Sequence, residues 1–85
     1  IPLCHPLVIS HCEVELRRRR TGYQIEARVQ TVGPTGVEME ALTAVAAAAL
    51  TLYDMVKAVD RAIVIDDILL LEKRGGRSGV WKRGK

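Results

Sequence analysis

Four ionisable side chains bracket a stretch that is otherwise almost without charge. Glu38 and Glu40 stand at its start, Asp54 and Lys57 near its end, and between Ala41 and Tyr53 the only ionisable group is the tyrosine itself. Asp54 and Lys57 are three apart, so on a helix they face the same way, which suits either proton transfer or a plain ion pair. Polar groups on an apolar helix are costly unless they are used or paired. His5 lies in Ile-Pro-Leu-Cys-His-Pro-Leu at 1–7, where each proline keeps its predecessor out of the α region, so Ile1 and His5 are expected to be extended. An imidazole with an unperturbed pKa near ~6.5 suits acid/base work or a phosphate contact on such a stiff loop.

Near the C-terminus, paired glycines with Arg74, Arg77 and Lys82 offer backbone N–H groups and charge to a phosphate or triphosphate. Gly79-x4-Gly84-Lys85 matches the start of a P-loop by spacing only, since no Ser/Thr or helix follows it. Cys4, His5, His11 and Cys12 are four potential zinc ligands, but adjacent ligands in an extended chain point apart, so no metal site is expected and Cys12 reads as core. The run Arg17, Arg18, Arg19, Arg20 could touch nucleic acid electrostatically. With Trp81 the one strong stacking residue and no recognition motif, it reads instead as a soluble turn that keeps a strand edge unpaired.

The elements that must position these groups follow from periodicity. Residues 8–18 alternate, with Cys12, Val14 and Leu16 on one face and His11, Glu13, Glu15 and Arg17 on the other, the pattern of a half-buried strand. A turn at Arg19-Arg20-Thr21-Gly22 leads to a second alternating run, Tyr23, Ile25, Ala27 and Val29, so the two form an antiparallel hairpin. Val32-Gly33-Pro34-Thr35-Gly36 breaks the strand and Thr35 is placed to cap a helix. The stretch 35–57 is rich in Ala and Leu and is expected to be helical to near Asp60 or Arg61.

On that helix Met39, Leu42, Val45, Ala46, Ala49, Tyr53 and Val56 form one apolar face, and Ala41, Ala44, Ala48, Leu52, Met55 and Val59 a second on roughly the opposite side. The run is shorter than the ~20 residues a bilayer span needs, so the second face is expected to meet another subunit or a missing part of the same protein. Residues 63–73 read as a third strand, apolar enough at 68–71 to be covered on both faces, and the order is β-β-α-β. Residues 1–73 are expected to form a single α+β domain and 74–85 a flexible, basic, Gly-rich C-terminal segment.

Eighty-five residues make one domain with a modest core. The sequence starts at Ile1 inside a motif, which suggests that it is incomplete, and nothing resembles a signal peptide. Of the formal charge of +3, residues 72–85 hold six Lys/Arg against one acid, which is +5 and leaves −2 for the rest, so the excess belongs to the tail. Two cysteines without secretory context point to free thiols in a reducing compartment.

Four segments together resemble the molybdenum cofactor biosynthesis protein C family, the cyclic pyranopterin monophosphate synthases. They are Ile-Pro-Leu-Cys-His-Pro-Leu at 1–7, Thr-Gly-Val-Glu-Met-Glu-Ala-Leu-Thr at 35–43, Ala-Leu-Thr-Leu-Tyr-Asp-Met-Val-Lys-Ala at 49–58 and Lys-Arg-Gly-Gly-Arg-Ser-Gly-Val-Trp at 73–81. They run the length of the chain in order and correspond to about the C-terminal half of the family's usual length. The resemblance implies a ferredoxin-like antiparallel sheet with a packed helix, and a cytoplasmic homo-oligomer, a hexamer built from dimers, with no membrane or nucleic-acid partner. It implies a lyase reaction in which a cyclised dihydro-GTP is rearranged to cyclic pyranopterin monophosphate with loss of pyrophosphate. No cofactor is implied, though Mg2+ would accompany the triphosphate.

Carried over by matching motifs, Lys57 is the implied general acid/base, assisted by Asp54, with His5 in contact with substrate or shuttling protons. Glu38, Met39, Glu40 and Cys4 are implied to bind the substrate or order the site, and Arg74 and Arg77 to hold its triphosphate. The family's further active-site lysine lies in the N-terminal half and has no counterpart here, so this chain by itself does not hold a whole site. Two other readings stand beside this one: a non-catalytic basic module for nucleic acid or polyanion, and a truncated inactive copy.

Overall fold

In the computed structural model, which describes residues 9–32, 36–75 and 79–84, the alternating runs pair as a long antiparallel hairpin. Strand β1 covers Ile9–Arg19 and β2 covers Gly22–Thr31, joined by a two-residue turn at Arg20 and Thr21. The register sets like against like, with Cys12 opposite Val29, Val14 opposite Ala27 and Leu16 opposite Ile25 on one face. The opposite face carries Glu13 across from Arg28 and Glu15 across from Glu26. Since side chains alternate between faces, this register gathers the apolar groups of both strands on one side. An irregularity between Ile9 and His11 ends the regular pairing.

Helix α1 spans Glu38–Val56. It begins after Val37, whose side chain makes no capping bond, and carries Glu38 and Glu40 in its first turn, where acids complement the helix dipole. The expected cap, Thr35, lies outside the described residues. The hydroxyls of Thr43 and Thr51 donate to the carbonyls of Met39 (2.6 Å) and Ala47 (2.7 Å), which satisfies the two polar side chains of the helix middle without disturbing the ladder. Beyond Val56 a turn continues through bonds from the Lys57 N–H to the Tyr53 carbonyl (2.8 Å) and from the Asp60 N–H to the Val56 carbonyl (3.1 Å).

The helix lies against β2 rather than centrally over the hairpin. Val37, just before the helix, and Glu38, Ala41, Leu42 and Val45 in its first turns line an open cleft beside β2. Ala41 of the second expected stripe lines this cleft beside Leu42 and Val45 of the first, while Met55 of the second is exposed. By length and composition alone the 19-residue helix could cross a membrane, which corrects the expectation that it is too short; a helix packed on a sheet passes the same test.

Two further expectations are corrected. No strand forms over residues 63–71; only Glu72–Lys73 (β3) pairs, and its partner is Trp81–Lys82 (β4). A strand needs a neighbour for its N–H and C=O groups, and the backbone of Asp67 turns into the left-handed region (φ 51°), breaking the extended run. Ile68, Leu69 and Leu71 are therefore exposed and not covered on both faces. Conversely, the segment expected to be flexible holds β4, where the Arg83 N–H donates to the Leu71 carbonyl (2.8 Å) and its Nε to the Leu70 carbonyl (2.7 Å). The Arg83 guanidinium also lies over the Trp81 ring, 5.5 Å from its centre. The result is an α+β arrangement in the order β-β-α-β-β, consistent with the β-β-α-β portion of a ferredoxin-like fold.

Among the described residues none is fully buried. Cys12 is exposed and free, not core, and Val14 and Leu16 beside it are exposed as well, because the helix lies mainly on β2 and barely reaches β1. Between β2, the helix and residues 67–74 lies an open cleft of 870 Å³.

Candidate functional site

The helix exit presents the clearest chemical unit. Lys57 Nζ sits 2.8 Å from Asp54 Oδ1, and both side chains are open to solvent, 50% and 73% exposed. The i,i+3 spacing and the helical turn after Val56 are what bring them together. An ammonium held against a carboxylate at the surface can bind an anionic ligand or exchange a proton with one, provided a neighbour closes over it.

The helix start separates its two glutamates. Two residues apart on a helix is about 200°, so Glu38 and Glu40 point to opposite sides. Glu38 faces the cleft and meets Lys73 Nζ at 3.4 Å. Glu40 makes no hydrogen bond or ion pair among the described residues and shares its side of the helix with Met39, Asp54 and Lys57. Met39 is 43% exposed. The four groups thus occupy one solvent-facing strip, with Met39 and Glu40 at one end and Asp54 and Lys57 at the other.

Arg74 stands next to Lys73 at the mouth of the cleft, where its Nη2 donates to Glu72 Oε1 at 3.3 Å. Glu72 is further approached by Lys82 Nζ at 3.5 Å. The Arg74 hydrogen bond, with the Arg74 and Lys82 charges, holds the Glu72 carboxyl below the usual carboxylate range. Cys4, His5 and Arg77 lie outside the described residues. Among the described residues no three His, Cys, Asp or Glu side chains are grouped as metal ligands. His11 turns instead to Glu13, with Nε2 3.1 Å from Oε2.

Two residues matter more than their sequence context suggests. Lys73 is only 18% exposed, and its stem runs over Gly36 so closely that a Cβ there would lie 3.0 Å from Lys73 Cε. It ties the basic hairpin to the helix start, and no periodicity announces that. Arg17, read as part of a soluble turn, contacts Glu15 Oε2 at 2.7 Å and Glu26 Oε2 at 3.6 Å, bridging two carboxylates that face each other across the hairpin. An arginine held between two acids is a poor polyanion contact, which disfavours the nucleic-acid reading.

The family model described as MoaC family matches residues 1–76. The chain is 65% identical to the cyclic pyranopterin monophosphate synthase of Thermomicrobium roseum over 85 residues, covering 98% of this chain and 51% of that protein. It is 59% identical to the synthase of Corynebacterium efficiens over 81 residues (95% and 52%), and 58% identical to that of Pelotomaculum thermopropionicum over 85 residues (98% and 50%). The chain thus spans about half the length of the curated relatives it matches.

Proposed function

The chain belongs to the MoaC family, and from that premise we propose that it contributes to a cyclic pyranopterin monophosphate synthase of molybdenum cofactor biosynthesis. In this reading a 3',8-cyclo-dihydro-GTP intermediate is rearranged to cyclic pyranopterin monophosphate, a lyase reaction that releases pyrophosphate. The observation that carries it at the level of the site is the Asp54–Lys57 pair, 2.8 Å apart and open to solvent on a helix face that also bears Met39 and Glu40. Lys57 serves as general acid/base with Asp54 orienting its ammonium, and Met39 and Glu40 contact the ring of the substrate. Glu38, held by Lys73, orders the helix start beside Arg74, which with Arg77 receives the triphosphate; His5 contacts the substrate or shuttles protons, and Cys4 contacts the substrate.

The proposal needs no cofactor, and Mg2+ enters as a companion of the substrate's phosphates. We further propose, with the family resemblance, a cytoplasmic homo-oligomer, a hexamer built from dimers, in which neighbouring subunits complete each pocket because the groups of one helix are spread along it. Replacing Lys57 with Ala in a protein of full family length tests the assignment. A positioned proton-transfer group contributes typically ~10²–10⁴-fold, whereas an exposed helix pair stabilises by only about 0.3–0.5 kcal/mol. Turnover is expected to fall by about 10²-fold or more with unchanged circular dichroism, and a near-normal rate would reduce the pair to an ion pair.

A further inference from the structure

The β3–β4 hairpin is too short to hold itself together by its ladder. That ladder has two residue pairs, Glu72 with Lys82 and Lys73 with Trp81, and an isolated two-stranded ribbon is marginal in water. Among the described residues neither strand joins β1 or β2. What adds to the ladder is Arg83, one residue beyond β4. Its N–H donates to the Leu71 carbonyl at 2.8 Å and its Nε to the Leu70 carbonyl at 2.7 Å, and its guanidinium lies over the Trp81 ring. Hydrogen bonds from a charged donor are roughly twice as strong as neutral ones, and indole is the ring that best receives a cation.

The closed hairpin brings two cations to one carboxylate. Glu72 Oε1 accepts from Arg74 Nη2 at 3.3 Å and lies 3.5 Å from Lys82 Nζ on the facing strand. Lys82 reaches it because the register sets the two residues opposite each other. Two cations on one carboxylate leave an excess positive charge and unused N–H donors, the combination that a phosphate group takes. The chain leaves β3 through Gly75 (φ 87°) and returns toward β4 through Gly79 (φ 66°), backbone angles that glycine adopts at no steric cost. Those glycines permit the turn without fixing it, so the fixing falls to Arg83.

We propose that Arg83 is a positioning residue: by pinning β4 to the Leu70 and Leu71 carbonyls it holds Arg74 and Lys82 together against Glu72 as a preformed grip for the triphosphate of a nucleotide-derived substrate. The inference rests on the reading of Arg74 as a phosphate contact, to which it adds Lys82 as a second cation and Arg83 as the group that sets both. Arg83 lies beyond residues 1–76, which the family model matches, so the family match gives it no role. Its guanidinium is already engaged by a carbonyl and a ring, and it therefore acts through Arg74 and Lys82 and not on the phosphates themselves.

The test is steady-state kinetics in a protein of full family length. Arg83→Ala is expected to raise KM for the cyclised dihydro-GTP by about tenfold, the size of one lost charge-assisted hydrogen bond. Its kcat should stay within about twofold, because Asp54 and Lys57 are untouched. Circular dichroism should be unchanged, and Trp81 fluorescence should shift as the ring loses its cation. Arg83→Lys, which keeps a cation for the Leu70 carbonyl and the ring, should recover most of the loss, and Arg83→Gln carries the same test should Arg83→Ala not fold. Arg74→Ala should raise KM by a similar factor, and adding Arg83→Ala to it should cost less than about twofold more, since residues acting through one contact are not additive. Fully additive effects, or a raised KM in Arg74→Ala beside an unchanged one in Arg83→Ala, would overturn the inference and leave the phosphate role of Arg74 standing. An unchanged KM in Arg74→Ala would overturn that role and the inference with it.

Discussion

At the scale of single residues, the hairpin contains an arrangement that would be unfavourable without Arg17. Glu15 and Glu26 sit directly opposite each other, and like charges in that position destabilise a sheet. Arg17 reaches both. Arg17→Ala is expected to lower hairpin stability by about 0.5–1 kcal/mol, seen as a lower urea midpoint; adding Glu26→Gln should recover most of the loss, and no recovery would mean that the guanidinium acts elsewhere. Glu72 gives a pH dependence whose sign follows from its depressed pKa. Its contribution is present above the ordinary carboxylate value and is lost as pH falls through the lower, folded one. The β3–β4 pairing should therefore loosen in acid, read as a change in Trp81 fluorescence that Glu72→Gln removes. Neither role was legible in the sequence. Arg17 was one of four consecutive arginines, and only the register of the hairpin says which of them lies between two acids; Lys73 likewise shows its grip on Glu38 only once the chain has folded back past Gly36.

At the scale of elements, legibility followed the strength of the local pattern. The two strands alternate over many residues and carry their register in that alternation, so both the hairpin and its apolar face could be read directly. The Ala- and Leu-rich helix could be read from propensity, although its start lies at Glu38. The third strand failed because a strand is not a local object. Residues 68–71 are apolar enough, but beyond the Leu70 and Leu71 carbonyls, which accept from Arg83, they have no strand beside them to pair with and remain irregular, while the short Trp81–Lys82 strand forms because Glu72–Lys73 is there to pair with it. Asp67 marks the break. A side chain in the left-handed region costs roughly 1–2 kcal/mol, which Asp tolerates better than a β-branched residue. Asp67→Val should lower stability by about 1–2 kcal/mol in chemical denaturation and Asp67→Gly by much less; equal effects would show that the side chain and not the backbone angle is what counts at this position.

At the scale of the molecule, the chain exposes 6994 Å², where a compact monomer of 9.4 kDa would expose about 5,000 Å². Leu50 is 63% and Met55 75% exposed on the helix, next to groups the proposed chemistry uses. The strip that bears Met39, Glu40, Leu50, Asp54 and Lys57 has its reactive groups at its two ends. Glu40 and Lys57 are 17 residues apart in the sequence, which at 1.5 Å per residue is ~25 Å along the axis, too far for both to grip one nucleotide-sized substrate. The proposed two-fold assembly would resolve this, since an antiparallel partner helix would set its exit beside this start and each pocket would draw Glu40 from one subunit and Lys57 from the other. Refolding a 1:1 mixture of inactive Glu40→Ala and inactive Lys57→Ala proteins of full family length tests the arrangement. In a mixed pair one pocket collects both lesions and the other is intact. Random pairing makes half of the dimers mixed, so about a quarter of wild-type activity should return. Should the mixture stay inactive although mass spectrometry verifies mixed assembly, no pocket is shared across that axis, and the two ends of the helix serve separate sites.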